Sequence, residues 1–160
     1  MWLCGAPDAW DYFGKIPGPR YDEATFTATT AMNILPADRQ PTIRVVAMPT
    51  DTNTAGDIFG GWIMSQVDMA GSIAAMRRAG GRVVTVAVNE FQFHKPVYVG
   101  DLVSCYADVV RVGNTSLTVF VEVFAERNRE IGAAVKVTEA TLTYVALDEQ
   151  RKPRPVPKSS

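Results

Sequence analysis

The stretch at residues 51–79, DTNTAGDIFGGWIMSQVDMAGSIAAMRRA, limits what this chain can fold into more than any other. Between Gly60 and Met76 apolar residues fall on almost every side: Ile63, Met64, Val67, Met69, Ala70, Ile73, Ala74 and Ala75. A helix that is apolar all round is one that is buried all round. A membrane span needs about 20 apolar residues, and this run is shorter and carries Ser65, Gln66 and Asp68. The segment therefore predicts the central helix of a globular domain, with one carboxylate, Asp68, at its middle. A buried acid is unfavourable unless it is paired or protonated, which makes Asp68 a candidate for chemistry. A second reading stays open on the helix alone, in which Asp68 faces solvent or a subunit interface.

What surrounds the helix must then be sheet. Residues 42–47 form a first strand, ended by Met48 and Pro49. A polar loop at 51–56 leads to the Gly60–Gly61 pair, where backbone can approach a ligand closely. The helix is expected to stop at Gly80–Gly81, just after Arg77 and Arg78. Residues 82–93 carry Val84, Val86 and Val88 on one face and then change phase to Phe91 and Phe93, which predicts a bulge near Asn89–Glu90. Residues 101–112 align Val103, Cys105, Ala107 and Val109, and 116–127 align Leu117, Val119, Val121, Val123 and Ala125 across a Gly113–Asn114 turn. A further turn at 128–132 precedes a last strand at 133–147. One strand, one buried helix and four long antiparallel strands make an α+β chain, and only a strongly curved sheet wrapped around the helix covers it on most sides. That is the hot-dog architecture, and its free sheet edges predict a dimer.

The 160 residues fit one such domain, and a net charge of −1 gives no basic field for nucleic acid. Two cysteines, Cys4 and Cys105, are too few for a disulfide framework, and Cys105 reads as a small core residue. No basic segment followed by an apolar run opens the chain, so neither a signal peptide nor membrane association is expected, and the compartment predicted is the cytoplasm. Residues 1–40 show neither helical nor strand periodicity and read as an irregular extension, with Trp2, Trp10 and Phe13 available to dock on a surface and residues 1–31 dispensable. Met32 is an alternative start. Residues 41–150 form the domain, and 151–160, RKPRPVPKSS, an extended, solvated tail.

The run MPTDTNTAGDIFGGWIMSQVDMAG, followed by GRVVTVAV, FHKPVYVGDLV and VGNTS, resembles the YciA-type and cytosolic acyl-CoA thioesterases of the hot-dog superfamily. The match is dense and collinear from about residue 42 to 155. It implies hydrolysis of acyl-CoA to a free acid and coenzyme A, a role in lipid metabolism, no metal and no cofactor beyond the coenzyme A of substrate and product. It also implies a dimer, with a trimer of dimers as the expected assembly. The catalytic acid matches Asp68, its partner Asn53, and the helix start at Gly60 and Gly61 matches the place of the thioester oxygen. Arg82, Thr85, Gly113, Asn114 and Ser116 are the positions expected to hold coenzyme A.

The chemistry fits on its own terms. An attacked thioester carbonyl gains negative charge, and unpaired amides at a helix N-terminus meet it with a favourable dipole. A carboxylate then activates water as general base, or attacks and forms a mixed anhydride. Without the resemblance, Gly60–Gly61 reads equally as close packing of helix on sheet. Asp57 reads as the helix N-cap. His94, the one histidine, keeps a hydratase or dehydratase on the same thioesters as an alternative, and a non-catalytic acyl-CoA sensor using the same pocket is another. Met64, Met69 and Met76 suit either an adaptable acyl lining or core packing.

Overall fold

Strands that alternate branched apolar and polar residues bury one face each, and here those faces meet over a single helix. The computed structural model describes residues 35–127 and 134–158, all within the second of the chain's two units, Met32–Ser160. Chain order is β1 (Ile43–Val46), a 3-10 turn (Pro49–Asp51), α1 (Gly60–Ala79), β2 (Val83–Phe93), β3 (Leu102–Val112), β4 (Ser116–Glu126) and β5 (Ala134–Ala146). The expectations for Trp2, Trp10, Phe13, Cys4 and the turn at 128–132 lie outside the described residues. The strands form one antiparallel sheet in the order β1-β3-β4-β5-β2, as the hot-dog reading requires.

The helix spans the predicted residues, and its ends follow from sequence. Gly80 adopts the left-handed conformation (φ 62°) and returns its N–H to the Met76 carbonyl, while Arg77 and Arg78 occupy the negative end of the dipole. Its inward stripe of Ile63, Val67, Ala70 and Ala75 packs on Val103, Cys105, Val119, Val121, Leu142 and Tyr144. Burial pushes the Cys105 thiol up to about 12, so it is a packing residue without nucleophilic character. Among the described residues no helix is long and apolar enough to cross a membrane.

The sheet leaves one face of α1 uncovered: Met64, Met69 and Met76 are 42%, 45% and 44% exposed, because one sheet covers one side of a helix. The valine face of β2 points away from the helix, with Val84, Val86 and Val88 43%, 55% and 48% exposed. Its inward face carries Val83, Thr85 and Ala87. The bulge falls where expected, between Val88 and Glu90, with a second between Thr85 and Ala87. The tail is exposed along most of residues 151–158 and is held to the domain through Arg154 and Val156. Val156 packs on Ala79, Leu117 and Ala146, its N–H donates to Asn114 O at 2.8 Å, and Arg154 Nη2 donates to Ala79 O at 2.8 Å. The Arg154 fork supplies what the last helical carbonyls lack, which composition alone does not reveal.

Candidate active site

The polar loop before α1 is held by Asn53. Its Oδ1 accepts the N–H groups of Ala55 (2.8 Å) and Asp57 (3.2 Å), and its own N–H donates to Asp57 O at 2.7 Å. With Oδ1 committed to backbone donors, the Nδ2 group is the part of Asn53 left to face a ligand. Asp57 is not the helix cap expected of it. Phe59 occupies the N-cap and no side chain caps the helix, because the loop folds back on Asn53 two residues too early.

The uncapped start of α1 therefore opens onto a cavity of about 410 Å³ lined by Asn53, Asp57, Gly60, His94, Lys95 and Thr138 among others. At Gly60 a Cβ would meet the Phe93 ring at 3.2 Å, while at Gly61 it would meet nothing within 4 Å. Close packing thus explains part of the need for glycine at the first position and none at the second. Thr138 was not singled out from sequence. It is fully buried, lines the cavity, and its Oγ1 has no hydrogen-bond partner among the described residues. His94 Nε2 sits 3.5 Å from Glu139 Oε1 rather than beside Asp68.

Asp68 is half-buried at mid-helix. Thr85 Oγ1 donates to its Oδ1 at 2.6 Å, and Tyr144 Oη reaches the same oxygen at 3.3 Å and the Asp68 main-chain carbonyl at 3.1 Å. No described residue donates to Oδ2. Burial, then the Asp68 charge and the hydrogen bond to it, push the Tyr144 phenol well above its ordinary value, so it stays a donor. Thr85, expected among the coenzyme A contacts, thus lies against Asp68.

Gly113, Asn114 and Ser116 form the β3–β4 turn, closed by the Gly113 N–H on Ser116 O at 2.7 Å. Gly113 and Asn114 line a second cavity of about 370 Å³ with Arg78, Val112, Val156, Pro157 and Lys158. Arg82 is exposed at the entry to β2, its carbonyl taking the Leu147 N–H at 2.9 Å. Both features lie by the C-terminus of α1, the whole 20-residue helix away from Gly60, or about 30 Å. Asn53 and Gly60 line one cavity, and Thr85 bonds Asp68, eight residues further along α1 than Gly60. Among the described residues no group of three or more His, Cys, Asp or Glu side chains could hold a metal ion.

A family model of the thioesterase superfamily matches residues 55–131. Acyl-CoA thioester hydrolase YciA of Escherichia coli strain K12 is 50% identical over 117 residues, covering 72% of this chain and 89% of that protein. Of solved structures, a hexameric hotdog fold thioesterase of Campylobacter jejuni is 48% identical with a TM-score of 0.71, covering 74% of this chain and 91% of that one. An acyl-CoA hydrolase of Staphylococcus aureus, solved with butyryl coenzyme A and coenzyme A, is 33% identical with a TM-score of 0.68, covering 72% and 70%. That hydrolase has also been solved with an asparagine and with a threonine replaced by alanine. With half its aligned residues shared over most of the length of such a relative, and with one helix on a five-stranded antiparallel sheet, this chain belongs to the YciA-type acyl-CoA thioester hydrolases of the hot-dog thioesterase superfamily.

Proposed function

We infer that the chain hydrolyses acyl-CoA thioesters to a carboxylic acid and coenzyme A, at a site that two copies of the chain complete. The observation that carries this is the Asp68 carboxylate: both its protein donors sit on Oδ1, which leaves Oδ2 for the reaction. In the general-base route Oδ2 takes a proton from water as the water oxygen bonds to the thioester carbon. The carbon–sulfur bond then breaks, and the proton passes to the coenzyme A sulfur. In the nucleophilic route Oδ2 itself bonds to that carbon, the carbon–sulfur bond breaks and coenzyme A leaves as a thiolate that takes a proton from solvent; water then cleaves the anhydride, releasing the acid and restoring the Asp68 carboxylate. In either route the carbonyl oxygen gains charge, which the first amides of α1 at Gly60–Gly61 and the Asn53 Nδ2 group are placed to receive.

Gly60 and Asp68 are eight residues apart, roughly 12 Å along the axis, whereas one carbonyl must lie about 3 Å from both its donors and its nucleophile. A two-fold partner resolves this, because residue i of one copy then meets residue j of the other. The uncovered Met64, Met69 and Met76 and the outward valines of edge strand β2 supply apolar surface for that partner. Relatives from Campylobacter jejuni and Yersinia pestis are hexameric, which supports a trimer of dimers here. Arg82, Gly113, Asn114 and Ser116 are proposed to hold coenzyme A, and the cytoplasm is the proposed compartment, in keeping with a free, buried Cys105. The test is free-thiol release from acyl-CoAs of increasing chain length. Release across the series is expected. Saturable binding without thiol would favour the sensor reading.

A further inference from the structure

Tyr144 lies near the C-terminal end of β5, fully buried, and its hydroxyl is aimed at α1 rather than at solvent. It reaches two acceptors on one residue, the Asp68 main-chain carbonyl at 3.1 Å and Oδ1 at 3.3 Å. A hydroxyl whose one proton is shared between the main-chain oxygen and a side-chain oxygen of the same residue restricts that side chain's rotation. The contact exists only because of Gly71. A Cβ there would overlap Tyr144 Oη and lie 3.1 Å from Cζ and 3.2 Å from Cε2. After proline, glycine is the least favourable residue inside a helix, so its presence at a buried interior position needs such a reason.

We propose that Tyr144 is a positioning residue for Asp68, and that Gly71 is the opening in the helix that admits it. The proposal rests on Asp68 being the reacting carboxylate. Together Tyr144 and Thr85 hold Oδ1 from two strands, β5 and β2, so that Oδ2 is the oxygen presented to water or to the thioester carbon. Neither Tyr144 nor Gly71 touches substrate in this scheme. Their effect passes through the geometry of one carboxylate, and so it falls on turnover rather than on substrate binding.

The experiment is a pair of double-mutant cycles on the full chain, with kcat, KM and thermal unfolding measured for every variant. Tyr144→Phe is expected to lower kcat about 10-fold, as loss of a hydrogen bond to a charged group does, with KM held within about twofold. In an Asp68→Asn background the same substitution should change the residual rate by less than about twofold, because the reacting carboxylate it positions is gone. Gly71→Ala should lower kcat in the wild type and add little to Tyr144→Phe, since the displaced hydroxyl is already absent. Wild-type kcat in Tyr144→Phe would overturn the proposal, as would an equal loss in both Asp68 backgrounds, which marks a merely structural tyrosine. Should Tyr144→Phe fail to fold, Gly71→Ala against the wild type carries the same kcat-against-KM test. Asp68→Asn with wild-type turnover would overturn the catalytic reading of Asp68 itself, and the proposal with it.

Discussion

Asp68 meets the two demands on a catalytic acid, fixed geometry and a face left open, through Thr85 and Tyr144 on a single oxygen. Asp68→Asn keeps the shape and removes the charge, so thiol release should fall by at least about 10²-fold, the usual effect of losing a general base, with unfolding temperature little changed. Turnover within a few-fold of the wild type would make Asp68 structural. Thr138 gives a second test at this scale. A buried hydroxyl without a partner destabilises by about 1–3 kcal/mol, so Thr138→Val should hold or raise the unfolding temperature. A lowered temperature would mean that the hydroxyl is bonded in solution. Asp68 stood out in sequence as a polar residue in an apolar helix, whereas Asn53 came forward only through the resemblance to the thioesterases. Thr138, Tyr144 and the role of Thr85 were not legible, since each depends on which strand lies opposite which turn of the helix.

Among the elements, α1 matters at its first turn. Gly61→Val should reduce thiol release far more than stability: the space is open, and a helix prefers almost any residue to glycine. A variant that unfolds before it loses rate would support close packing instead. The outer face of the sheet carries an ion-pair group in which Lys136 bridges Glu122 (2.8 Å) and Glu139 (2.6 Å) and Arg39 bonds Glu122 at 2.8 Å. Burial tends to raise the Glu122 carboxyl, but the hydrogen bonds from Lys136 and Arg39 outweigh it and hold the group below 4.5. Glu139 is held low chiefly by its hydrogen bond from Lys136. A depressed folded-state value contributes stability above the unfolded value that is lost as pH falls through the folded one. Stability should therefore drop below about pH 4.5, and less steeply in Lys136→Met, followed by unfolding temperature against pH. Equal slopes would leave the group without a stabilising part. The strands and their bulge were readable from period-two alternation. The direction of the β2 valine face and the docking of Arg154 and Val156 were not, because alternation marks two faces without saying which is inside, and a basic, proline-rich tail has no period at all.

At the scale of the molecule, Asn53 lies with the start of α1 and Asp68 with Thr85, and the proposed site draws on both groups. The all-round apolar character of α1 pointed to cover on most sides, and in the proposed dimer the uncovered methionines and valines are the surface offered to a second copy. Complementation tests the shared site directly. Asn53→Ala and Asp68→Asn proteins, each nearly inactive, are denatured together, refolded and assayed for thiol release. Random pairing makes half the dimers mixed, and each mixed dimer has one intact and one doubly altered site, so activity should return to about a quarter of wild type. No recovery, with mixed dimers verified by mass, would place Asn53 and Asp68 in one chain's site and contradict the account.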